Sequence, residues 1–141
     1  MGQRSNVESR RSKAEWRAQF AAVRASLSDA DYAAKSAAIC DRLQALTVVQ
    51  RATTVHCYWP LVARREIDTR PFIAACVAAG KRVVLPVVEA FGRGFYDAFL
   101  AETTAWRVCV VYEACLVDRL PSESHDIAAS TVVTEQAVLG I

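Results

Sequence analysis

The chain has 141 residues and a mass of 15.5 kDa, the size of one domain, long enough to bury roughly 68–70% of its unfolded surface. Hydrophobic residues make up 53% and charged residues 23%, with a mean hydropathy of +0.16, which excludes a disordered or fibrous protein. Seventeen Lys and Arg against fifteen Asp and Glu leave +2, so charge offers no ground for nucleic-acid binding.

The opening stretch, residues 1–12, is polar and carries Arg4, Arg10 and Arg11 with no apolar run behind it. It reads as a flexible tail rather than a targeting signal, followed by a single domain over residues 13–141. Ser12-Lys13-Ala14-Glu15 has the form of a capping box, in which hydroxyl and carboxylate each satisfy an orphan amide of the helix start. The helix it opens carries Trp16, Phe20, Val23 and Leu27 on one stripe. Ser28-Asp29-Ala30-Asp31 opens a second helix, with Ile39, Leu43 and Leu46 on its apolar face and acidic residues at its positive end. Residues 53–59, β-branched and aromatic, predict a strand stopped by Pro60. A third helix is expected from Pro71 to Ala79, with Pro in its first turn and Gly80 just past its end.

Residues 81–88 read as a strand apolar enough to be covered on both faces. The loop Phe91-Gly92-Arg93-Gly94 and a short helix over 95–101 come next. Further strands are expected at 107–112 and 131–134, with the polar loop 120–126 between them. No apolar run is long enough to cross a bilayer. This order predicts an α/β fold, a three-layer, mostly parallel sheet flanked by helices, with ligands at the carboxyl ends of its strands. Four strands is a thin complement for a sheet of that kind. Five cysteines, Cys40, Cys57, Cys76, Cys109 and Cys115, include no C-x-x-C pair, and His56 and His125 do not complete a zinc set. Free, buried or half-buried thiols are expected, and with them a cytoplasmic setting.

Lys13 and Arg17 stand at i, i+4 on one helix face. Gly92-Arg93-Gly94 before a helix combines backbone amides, a positive helix end and a guanidinium, the parts of a phosphate cradle. Asp97 follows on the next turn, where a carboxylate serves either the helix dipole or a metal beside phosphates. Glu66 and His125-Asp126 lie in loops at the same carboxyl edge. Each is singly an ordinary surface residue, but cations, glycine loop and carboxylates map to one rim, which suggests a nucleotide site with magnesium.

These residues also carry a resemblance along almost the whole chain. Lys13-Ala14-Glu15-Trp16-Arg17 resembles the K-x-x-L-R element of the 5-formyltetrahydrofolate cyclo-ligase (methenyltetrahydrofolate synthetase) family, with Trp16 in the apolar slot. Tyr58-Trp59-Pro60 and then Arg65-Glu66-Ile67-Asp68-Thr69 are similar to its Y-x-P…E-I-x-T stretch. Gly80 to Pro86 is similar to its G-K-x-V-x-L-P strand. Gly92 to Leu100 resembles the end of its G-x-G-x-G-Y-Y-D-x-x-L loop. Residues 120–126 and Val133-Thr134-Glu135 resemble its P-x-E-x-H-D…V-x-T-E signature. One interval departs from the family. Val88 is joined to Gly92 by Glu89-Ala90-Phe91 alone, where the family has a longer segment that includes a central parallel strand.

The resemblance implies an enzyme of folate one-carbon metabolism that uses Mg-ATP to phosphorylate the formyl oxygen of 5-formyltetrahydrofolate and so closes the 5,10-methenyl bridge. It implies Mg²⁺ as cofactor, ATP and a reduced folate as small-molecule partners, no nucleic acid or membrane, and a monomer. Lys13 and Arg93 would then be catalytic. Lys13, Arg17, Gly92, Arg93, Gly94, Phe95 and Tyr96 would hold ATP, Glu66 and Tyr96 the folate, and Asp97 and Asp126 the metal. His125 is left as a structural neighbour. The alternative is a family remnant that binds nucleotide or folate without turnover.

Overall fold

The structure, a computed structural model, describes residues 11–86 and 101–140. Helix α1 (Lys13–Ala25) starts on the expected capping box: the Ser12 hydroxyl accepts from the Glu15 N–H at 3.2 Å, and Glu15 Oε2 accepts from the Ser12 N–H at 2.6 Å. Its stripe turns inward at Trp16, which is 2% exposed and stacks on Phe20 at 5.4 Å between ring centroids. The indole N–H of Trp16 has no acceptor among the described residues. Helix α2 (Asp29–Ala45) is capped by Ser28, whose hydroxyl accepts from the Asp31 N–H at 3.0 Å. It buries Tyr32, Ile39, Cys40 and Leu43, the centre of the core. A one-turn helix α3 (Thr47–Arg51), without a side-chain cap and without a sequence signal, leads into the first strand.

Strand β1 (Thr54–His56) and strand β2 (Arg82–Val84) pair in parallel, joined through helix α4 (Arg70–Ala78). Pro71 lies in the first turn of α4, and Gly80 follows it at φ +78°, the left-handed conformation that glycine adopts without steric cost. Phe72, Ile73 and Cys76 are the residues α4 buries. Strand β3 (Val108–Val110) pairs in parallel with β4 (Thr131–Val133), and β4 pairs antiparallel with β5 (Val138–Gly140). The turn from β4 to β5 is built on Thr134, whose N–H donates to the Ala137 carbonyl at 2.9 Å while its hydroxyl oxygen accepts from the Gln136 and Ala137 amides. One core joins the two parts: Tyr112, Cys115 and Val133 pack with Tyr32, Ile39, Cys40, Leu43, Phe72 and Cys76.

The mixed α/β class with mostly parallel pairing is as the sequence predicts, but the described strands form two sheets, β1–β2 and β3–β4–β5. The division falls between β2 and β3, where residues 87–100 lie outside the described residues. On β2 the expected two-sided cover is not found, since Arg82 and Val84 are exposed and Val83 half-buried. An apolar run states a preference for burial and does not supply the neighbour that would bury it. Strand β5 and the short turn Glu113–Cys115 were not anticipated.

All five thiols are free. Cys40, Cys76 and Cys115 are buried and Cys57 is half-buried, as expected, whereas Cys109 is exposed on β3. The strand's alternation turns it away from the core that Val108 and Val110 pack against. Among the described residues no helix is long and apolar enough to cross a membrane.

Candidate active site

Lys13 is the first residue of α1, so its ammonium sits at the positive end of that helix. It meets the loop between β3 and β4. Lys13 Nζ donates to Asp126 Oδ2 at 2.8 Å and lies 3.3 Å from Glu123 Oε1. The two partners are 113 positions apart in sequence. The loop fixes Asp126 from its own side as well: the Glu123 N–H donates to the same Oδ2 at 2.7 Å, and the Asp126 N–H returns a bond to the Glu123 carbonyl at 3.1 Å. His125 Nε2 stands 3.3 Å from Glu123 Oε2 and 3.8 Å from Asp126 Oδ1.

The charges reinforce one another. The Asp126 carboxylate holds the Lys13 ammonium above the ordinary lysine range, with Glu123 adding to it, and Lys13 in turn holds Asp126 below the ordinary carboxylate range. With one cation between two carboxylates, the cluster is one charge negative when His125 is neutral. A hydrated divalent cation takes one or two carboxylates when water and phosphate oxygen fill its other positions, and Asp126 and Glu123 are the residues here that could supply them. No group of three or more His, Cys, Asp or Glu able to hold a metal ion occurs among the described residues.

Arg17, one turn beyond Lys13, stays exposed and makes no ion pair among the described residues. Gly92, Arg93, Gly94, Phe95, Tyr96 and Asp97 lie outside the described residues. Glu66 lies in the loop after β1. Its Oε2 accepts from the Leu61 N–H at 2.8 Å, which closes the loop around the short 3₁₀ turn Val62–Arg64. The structure therefore brings Lys13 and Asp126 together and holds Glu66 separately, in a fixed loop of its own. Glu123 was not singled out from the sequence, although it stands in the P-x-E-x-H-D stretch quoted for Asp126. Its signal was only its place three residues before that aspartate.

The chain matches the profile of the 5-formyltetrahydrofolate cyclo-ligase family over residues 9–91, more than half its length. The match ends at residue 91, next to the glycine loop. No curated protein matched in the sequence comparison. Among solved structures, a 5,10-methenyltetrahydrofolate synthetase from Mycoplasma pneumoniae is similar with a TM-score of 0.76 at 19% identity, covering 89% of this chain and 99% of that one. The NMR structure of a 5,10-methenyltetrahydrofolate synthetase from Aquifex aeolicus is similar with a TM-score of 0.78 at 21% identity, covering 91% of this chain and 92% of that one. At these identities the two structures speak for the fold, and the profile speaks for the family.

Proposed function

The chain belongs to the 5-formyltetrahydrofolate cyclo-ligase family, and from that premise we propose that it converts 5-formyltetrahydrofolate to 5,10-methenyltetrahydrofolate with ATP and magnesium. The observation that supports the reading is the 2.8 Å contact of Lys13 with Asp126, which brings together from opposite ends of the chain the cation proposed for phosphate and the carboxylate proposed for the metal. In this reaction the formyl oxygen takes the γ-phosphoryl group with release of ADP. N10 of the folate then attacks the activated carbon, loses its proton, and phosphate leaves as the bridge closes. Phosphoryl transfer of this kind depends on positioning and charge stabilisation, with little covalent work for the protein. When bound with ATP, magnesium supplies neutralisation of the phosphate charge.

Lys13, at a helix N-terminus, holds the phosphates, joined by Arg17 and by the loop of Gly92, Arg93, Gly94, Phe95 and Tyr96. Asp126 and Asp97 would hold the metal, and Glu66 with Tyr96 orients the folate. In the form described, Lys13 and Asp126 neutralise each other. With Mg-ATP bound, Lys13 would pair with phosphate and Asp126 with the metal. The test is formation of the methenyl product with Mg-ATP present and absent. We expect turnover that needs both, reduced at least tenfold in Lys13→Ala and in Asp126→Asn while both variants remain folded. Wild-type turnover with an unchanged Lys13→Ala rate would remove Lys13 from the site. The short interval from Val88 to Gly92 in the sequence favours a second reading, a member that binds Mg-ATP or folate without turnover. Ligand binding by a wild-type chain that forms no product would establish that second reading in place of the first.

A further inference from the structure

Residues 64–68, the stretch around Glu66, have a backbone held in an unusual way. Five successive carbonyls each accept a hydrogen bond from a side chain. The Arg24 guanidinium donates to Arg64 O at 3.2 Å, the Tyr112 hydroxyl to Arg65 O at 2.8 Å, and the Tyr32 hydroxyl to Glu66 O at 2.7 Å. The Tyr58 hydroxyl donates to Ile67 O at 2.9 Å and the Cys40 thiol to Asp68 O at 3.2 Å. The donors come from α1, from the segment after β3, from α2 twice, and from the segment after β1. Surface loops ordinarily leave such carbonyls to water. Here three consecutive ones, on residues 65, 66 and 67, are taken by phenols. Arg65 adds a left-handed backbone, φ 55°, and its guanidinium lies 5.1 Å over the Tyr32 ring.

We propose that Tyr32, Tyr58 and Tyr112 are positioning residues for the folate subsite, fixing through their hydroxyls the backbone that presents Glu66. This rests on the proposed assignment of Glu66 to the folate. Rings alone would fill the same space, so it is the hydroxyls that the loop requires. Burial raises the proton affinity of all three, with Tyr112 pushed up to about 12, so each remains an O–H donor at any working pH. A carboxylate that must meet a substrate atom to within a few tenths of an ångström gains from such a frame, because misplacement by an ångström costs about a hundredfold in rate. Tyr112 has a further consequence. It belongs to the segment that leaves β3, and its bond to Arg65 ties that part of the molecule to the loop after β1.

Tyr→Phe at each position removes the donor and keeps the ring. The experiment is calorimetric titration of the full chain with 5-formyltetrahydrofolate and, separately, with Mg-ATP, for wild type, Tyr112→Phe, Tyr32→Phe and Tyr58→Phe. Each variant is first checked for a cooperative melt. Should a buried position fail that check, half-buried Tyr58 carries the test. We expect folate affinity to fall about tenfold in the variants with Mg-ATP affinity unchanged within twofold. Folate affinity as in wild type, or an equal loss for both ligands, overturns the positioning role while leaving the functional reading intact. A wild-type chain that binds no 5-formyltetrahydrofolate overturns the reading of the subsite, and this proposal with it.

Discussion

Glu135 shows how much one side chain can carry away from the site. Only 8% of its side chain is exposed, and its two oxygens are both engaged, one by Lys35 Nζ at 2.7 Å and the other by the Glu113 N–H at 2.8 Å. It thereby joins α2 to the turn that follows β3. Burial pushes its pKa up, but the bonds from Lys35 and Glu113 outweigh burial and hold the carboxyl below the ordinary range. A carboxyl so lowered contributes stability above its ordinary value, near pH 4.3 in an unfolded chain, and loses it as pH falls through the lowered one. Glu135→Ala strands a half-buried ammonium and a backbone amide together, at a cost of about 2–3 kcal/mol. Thermal melts should show that deficit at pH 7 and a smaller one at pH 3, where the wild-type carboxyl is itself becoming neutral. An equal deficit at both pH values would mean that packing, not charge, holds this corner. The same linkage applies to Lys13 and Asp126 in an exposed setting, with opposite signs for the two. The raised lysine keeps its contribution below its ordinary range and loses it at high pH, and the lowered aspartate loses its own in acid.

Elements differ in how plainly the sequence announces them. The capping box at Ser12, the cap at Ser28 and the Pro71…Gly80 bounds of α4 are local chemistry, complete within a few residues, and all were legible. The hairpin to β5 does not follow from the sequence reading, which ends the last strand at 131–134 and assigns nothing beyond it, although the four residues Thr134 to Ala137 between Val133 and Val138 make a short turn. Glu123 and the three phenols were illegible for a different reason. A side chain donating to a carbonyl dozens of residues away leaves no periodicity, and Tyr32 looks like any core aromatic on its helix. On the proposed role of Lys13 the cap of α1 bears on function, because Lys13 is the residue right after it. Ser12→Ala removes the hydroxyl that accepts from Glu15 and should lower stability by about 1 kcal/mol. If the helix end positions the ammonium, KM for ATP should rise severalfold as well, with kcat unchanged. A lowered melting temperature with an unaltered KM would assign the placement of Lys13 to Asp126 and Glu123 alone.

On the scale of the whole molecule, the question is what holds two small sheets in one body. Among the described residues it is not strand pairing, since each strand pairs only within its own sheet. The work falls to α2, whose Ile39, Cys40 and Leu43 pack with Phe72 and Cys76 from one part and Tyr112, Cys115 and Val133 from the other. Added to it are long-range polar ties: Tyr112 to Arg65, Lys35 to Glu135, and Lys13 to Asp126. The last of these joins α1 to the loop between β3 and β4, so a ligand that replaces it must also bridge those elements or the molecule will loosen. On the proposed assignment, Mg-ATP held by Lys13 on one side and Asp126 on the other would bridge them. A ligand that binds only the folded chain at a hundred times its Kd stabilises by about 2.7 kcal/mol. For a chain of this length that is a rise in melting temperature of roughly 8 °C. The rise should need magnesium as well as ATP, since without the metal the phosphates would face the Asp126 and Glu123 carboxylates directly. Asp126→Asn should then weaken the dependence on magnesium more than the binding of ATP itself. A shift of the same size with ATP alone would place the nucleotide away from these carboxylates, and the bridge between α1 and the loop would have to be given up.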